Sequence, residues 1–142
     1  MKKEQSGQGN NIPGFQRLHV WQKAKDLALN IYAMSTTGAF ATDFSLRDQI
    51  RRAAVSVPSN IAEGEWRDTN KDSIRFFHMA KGSLAELWTQ LIISQEVGYI
   101  KATELKELQI TCGEIAAMLG ALIKYRRETS NAVPPPQSTQ QP

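Results

Sequence analysis

In this 142-residue chain the side chains best suited to metal ligation or nucleophilic attack are His19, His78 and Cys112. Their surroundings do not assemble such chemistry. A di-iron centre in a helical bundle takes carboxylates from two helices and a Glu-x-x-His pair from each of two others. Three residues before His19 stands Gln16, and three before His78 stands Arg75. His78 falls beside an apolar helical arc and His19 near a helix start, the places of a satisfied and a solvated imidazole. No phosphate-binding glycine loop, dinucleotide fingerprint or nucleophile elbow occurs. Cys112 lies on the apolar face of a predicted helix with no basic partner in view. It reads as a reduced thiol acting as a small hydrophobe, and a single cysteine cannot close an internal disulfide. The pattern predicts no catalytic residue, no cofactor and no metal.

Two other groups remain. Arg52, Ser56, Asn60 and Glu63 follow one another at helical spacing and form a polar stripe along one shoulder of an apolar face. Ser83 and Glu86 are expected to face it from a neighbouring helix. Such a stripe is either a binding site or a polar network that fixes helix register, and the register role is the favoured reading. Asp48, four residues before Arg52, is positioned to pair with it. The second group is basic: Arg47, Arg51, Lys71, Arg75, Lys124, Arg126 and Arg127. Singly these make a solvated surface. Repeated by self-association they make a field that attracts phosphate backbones or an acidic protein. Net charge is +3 with an isoelectric point near 9.1, a mild bias for a nucleic-acid binder. Most aromatic residues fall in core arcs, and Trp66, in a predicted loop, is the one free for base stacking. Nucleic-acid binding would thus be salt-sensitive and weakly sequence-specific.

The elements that position these groups are helices. At about 100° per residue, Leu46, Ile50, Ala53, Ala54, Val57 and Ile61 share one arc, with Pro58 inside the run and Gly64 as the expected left-handed terminator. Ser45 with Asp48 resembles a capping box at its start. Before it, a helix over 18–36 presents Val20, Trp21, Ala24, Leu27, Ala28, Ile31 and Met34, and 37–44 reads as a link. After it, a helix over 71–97 carries apolar residues from Ile74 to Ile92 over an arc of roughly 180°, wider than the ~100° one contact requires. One side of that helix should meet another subunit, with a close backbone approach at Gly82 and Ser83. A last amphipathic helix covers 103–126. The ends, 1–14 and 128–142, are Gln, Gly, Ser and Pro-rich and read as disordered tails around a bundle over 15–127. The result is an all-α, antiparallel up-and-down four-helix bundle. No segment reads as a signal peptide or membrane span, which points to the cytoplasm and no membrane partner.

RRAAVSVPSNIAEG and RFFHMAKGSLAEL, preceded by FQRLHVWQKAKDLA and FSLRDQIRRA and followed by EVGYI, resemble the motifs of a small bundle family. That family is encoded in intervening sequences of bacterial large-subunit ribosomal RNA genes, and the resemblance covers roughly 15–126. It implies an antiparallel four-helix bundle assembled as a homopentamer, without an established enzymatic activity. A distant relative is the accessory variability determinant of diversity-generating retroelements, a basic pentamer that binds reverse transcriptase and nucleic acid. Two functions follow from the resemblance. One is a non-catalytic oligomeric scaffold that docks a protein such as a nucleic-acid-processing enzyme, and the alternative is direct RNA or DNA binding through the basic surface.

Overall fold

The computed structural model describes residues 14–130, and the expectations for 1–13 and 131–142 fall outside them. A 3-10 turn, Gly14–Arg17, leads into α1 (His19–Met34), the short α2 (Gly38–Thr42), α3 (Phe44–Glu65), α4 (Asn70–Glu96) and α5 (Ala102–Ser130). No strand occurs among the described residues. Each long helix packs against two others in the cycle α1, α3, α4, α5. Phe15, just ahead of α1, touches Trp66 at the end of α3, and Ser35 after α1 accepts from Arg51 near the start of α3. The bundle is therefore antiparallel and up-and-down.

The apolar arcs converge as the periodicity requires. Val20, Ala24, Leu27, Ala28 and Ile31 of α1 meet Ile50, Ala53, Ala54, Val57 and Ile61 of α3 in one core. Phe77, Ala80, Leu84, Leu87 and Leu91 of α4 and Cys112, Ile115, Leu119 and Ile123 of α5 complete it. Pro58 is buried within α3, which continues through it. Gly98 ends the α4 segment at φ 88°, a conformation that costs glycine nothing.

Several local expectations give way. The 37–44 link contains α2, which buries Phe40 against Tyr99. Asp43, rather than Ser45, caps α3: its Oδ1 accepts from the Leu46 amide at 3.1 Å, while Ser45 Oγ accepts from Gln49. The carboxylate outranks the hydroxyl because its other oxygen is held by the Tyr99 hydroxyl at 2.9 Å, a partner 56 residues away that no local pattern reveals. Gly64 is helical, with α3 running on to Glu65. Its smallness serves packing: a Cβ there would lie 2.6 Å from Phe77 Cε1 and 3.1 Å from the Ser73 carbonyl oxygen. Gly82 is exposed, and a Cβ there would have no atom within 4 Å, so the close approach expected at Gly82 does not occur within one chain. Helix α5 extends to Ser130, past the expected end at 126.

Because the Phe77 ring is fully buried, Gly64→Ala must push a core side chain off its position. The variant should retain its helical circular dichroism but lose about 1–3 kcal/mol in urea unfolding. Stability equal to that of the parent protein would show that the α3–α4 contact yields more freely than this packing implies.

Candidate functional site

The polar stripe of α3 divides into a closed centre and two open ends. At the centre, Ser56 Oγ and Ser83 Oγ lie 2.8 Å apart across the α3–α4 contact. Asn60 Nδ2 donates to the Ser56 carbonyl at 2.9 Å and to Ser56 Oγ at 3.0 Å. An Oγ that accepts from Asn60 has its own proton left for Ser83, so the three half-buried groups satisfy one another. Towards the C-terminal end of α3, Glu63 pairs loosely with Arg67 at 3.8 Å, both exposed. Towards the N-terminal end, Asp48 pairs with Arg47 at 3.2 Å instead of with Arg52.

Arg52 stands in a depression of about 490 Å³ between α3 and α4, lined also by Phe44, Ser45, Asp48, Gln49, Glu86 and Gln90. Arg52 shares it with the carboxylates of Asp48 and Glu86, and among the described residues neither carboxylate forms an ion pair with it. Gln90 Oε1 is buried there with no hydrogen-bond partner among the described residues. Spacing placed Arg52 and Glu86 on facing shoulders. It did not show Phe44 and Gln90, whose part depends on how closely the two helices meet.

The basic residues fall at opposite ends of the bundle. Arg47 donates to the Ala41 carbonyl at 3.0 Å and lies 4.7 Å over the Phe44 ring, while Arg51 donates to Ser35 Oγ at 2.8 Å and lies over Tyr32. Both tie the α1–α2–α3 junction together. At the other end, Arg126 donates to Glu65 and to Asn70 Oδ1, joining α5 to the α3–α4 turn. Arg75 covers the ring of Phe76, as does Arg67. Lys71, Lys124 and Arg127 stand exposed. The seven cations thus form no single patch, and Arg47, Arg51 and Arg126 act as internal ties.

Trp66 is 68% exposed at this second end, its indole 5.7 Å from Phe15, which in turn meets Trp21 edge-on. A depression of about 360 Å³ lies on the Phe15 and Glu65 side of Trp66, and another, lined by Ala62, Glu63 and Arg67, also borders it. His19 and His78 are exposed, and no cluster of potential metal ligands exists among the described residues. No helix of the described residues is long and apolar enough to cross a membrane. Cys112 is fully buried, and that burial pushes its thiol up to about 11.

With this geometry in place, residues 16–121 match the family of 23S rRNA-intervening sequence proteins. The chain belongs to that family. A solved structure with the same fold is a protein of unknown function from the S23 ribosomal protein family of Bacteroides thetaiotaomicron, with 24% identity and a TM-score of 0.68. The match covers 74% of the present chain and 98% of that one. No curated protein matches the chain. Family and neighbour are of unknown function, and no enzyme family is indicated.

In this intervening-sequence protein the serine–asparagine centre joins α3 to α4 through hydrogen bonds. Asn60→Leu should keep the helix content and lower the urea midpoint, because Ser56 loses its donor and an apolar side chain replaces it at a half-buried position; an unchanged midpoint and unchanged assembly would reject that role. Cys112 offers a second check. Its folded pKa lies above the ordinary 9.0, so the fold has the full benefit of the buried neutral thiol below that value and loses it as pH climbs through about 11. At pH 8, alkylation of the native thiol should be at least about 100-fold slower than in urea, which mass spectrometry can follow.

Proposed function

We propose that this protein is a non-catalytic, self-associating bundle that serves as a docking scaffold, with the outward face of α4 seated against further copies of the chain. The observation that carries this is the composition of that face. Across residues 82–95 the only charged side chain is Glu86. Met79, Ile92 and Ile93 are 49%, 36% and 43% exposed, with the small residues Gly82 and Ala85 also exposed among them. A solvated helix usually carries charges on its outer side, and contiguous apolar surface marks an interaction site. Gly82 gives independent support. It costs a helix about 1 kcal/mol relative to alanine, and nothing among the described residues requires its smallness. A second helix laid across the face does.

Direct binding of RNA or DNA is a second reading, favoured by Trp66, an exposed indole beside Phe15 at the end of the bundle that also holds Lys71, Lys124 and Arg127. Five copies, the number the family resemblance implies, would carry about +15 from +3 each. A protein partner handling nucleic acid fits the scaffold reading equally well with the same charge.

Light scattering coupled to size exclusion should give a mass several times the 15.9 kDa of one chain. Gly82→Arg should reduce it to a folded monomer, since the position is open and the fold does not use it. A monomeric parent protein removes the scaffold reading. For the second reading, a single-stranded RNA titration should show affinity that falls steeply with salt and drops roughly tenfold on Trp66→Ala; no binding at low salt removes it.

A further inference from the structure

We infer that the copies join head to tail: the outward face of α4 in one copy seats on a different face of the next, the one that α1 and α3 present around Leu29, Tyr32 and Val55. This rests on the scaffold reading above and names the surface that receives α4. The need for a second surface is geometric. A face that meets its own counterpart is used up in a pair, so more than two copies joined by one kind of contact require two different faces, and such contacts can close into a ring.

The exposed apolar side chains identify the second face. Away from α4, Phe44 and Trp66 stand at opposite ends of α3, and Ile110 and Tyr125 are about 22 Å apart along α5 at 1.5 Å per residue. Leu29, Tyr32 and Val55, at 61%, 44% and 41% exposure, instead come together. Arg51 donates to Ser35 Oγ and lies over Tyr32, which sets the start of α3 level with the end of α1. One turn further along these antiparallel helices, Val55 comes level with Leu29. The surrounding segments are uncharged: residues 27–42 and 53–62 hold no charged side chain. At the edge beyond Leu29, Lys25 and Asp26 neutralise each other.

Charge then decides which face meets which. The α4 face carries Glu86 and the α1–α3 face is bordered by Arg51, and neither forms an ion pair among the described residues. Arg51 gives its Nε to Ser35, and a guanidinium has several more N–H groups for a carboxylate. Laying α4 on α4 would set carboxylate towards carboxylate, and laying the α1–α3 face on itself would set guanidinium towards guanidinium. The head-to-tail contact sets anion towards cation.

The test mixes two full-length variants, each blocked on one face. Gly82→Arg blocks α4, and Leu29→Arg, at an exposed helical position, blocks the α1–α3 face. Both are first checked for parental helix content by circular dichroism. Each alone should lose at least about tenfold in association affinity and run as a monomer in light scattering. Mixed in equal amounts, they should form a 1:1 heterodimer of about twice 15.9 kDa and nothing larger, because the intact α4 of one fits the intact α1–α3 face of the other and both remaining faces are blocked. The mixture is followed by sedimentation up to about 1 mM, since a single contact lacks the help of ring closure. Native mass spectrometry reads its composition. Adding Glu86→Lys to the Leu29→Arg variant should weaken the heterodimer at least about tenfold, whereas adding it to the Gly82→Arg variant, where it lies outside the contact, should not. The inference is overturned if Leu29→Arg assembles as the parent does, if it forms dimers by itself, if the mixture stays monomeric, or if Glu86→Lys acts equally from either side. A monomeric parent protein, seen without any variant, would instead remove the scaffold reading.

Discussion

The close seating of α3 on α4 is the constraint from which the rest of the molecule follows. It exists because small groups occupy the contact: Gly64 leaves room for the Phe77 ring, and Ser56 and Ser83 come within hydrogen-bond distance. A larger side chain at any of these positions would separate the helices. Once they meet, α1 and α5 need only lay their apolar arcs across the remaining groove, and the four arcs close into one core. The α3–α4 seam also decides which polar groups are spent. Those at its middle satisfy one another, whereas Gln90 Oε1, beside the N-terminal part of α3, has no donor among the described residues.

Much of this was legible in the chain itself. The periods of Val20 to Ile31, Ile50 to Ile61 and Cys112 to Ile123 mark three buried arcs without ambiguity, because each helix buries one side only. α4 was harder for a physical reason. Its arc is wide, and periodicity cannot say that Ile74 and Trp88 pack against the core while Ala85 and Ile92 face outward. Gly64 has the composition of a helix terminator, yet its neighbour across the seam decides its role. The Asp43 cap escaped for a similar reason, since its advantage over Ser45 comes from Tyr99 far along the chain.

The candidate site divides along the same line. Helical spacing placed Arg52, Ser56, Asn60 and Glu63 on one shoulder and Ser83 and Glu86 opposite, but spacing is blind to depth and to competing partners. The serines lie at the seam and Arg52 at its open end, and only coordinates distinguish them. The cations behave likewise. Charge counting treats seven residues alike, whereas Arg51 on Ser35 and Tyr32 and Arg47 on a carbonyl and a ring hold loops in place. A guanidinium with several donors in a plane is suited to such ties, and a lysine is not.

The Arg126 contact has a further meaning for motion. Its guanidinium reaches Glu65 and Asn70 at once, so the C-terminal part of α5 is bolted to the turn between the two central helices. The ends of helices ordinarily open before the body of a protein does. Here the turns around Arg126 can open only if the α3–α4 turn gives up its hold, and their amide protons should exchange with solvent as slowly as those of the interior.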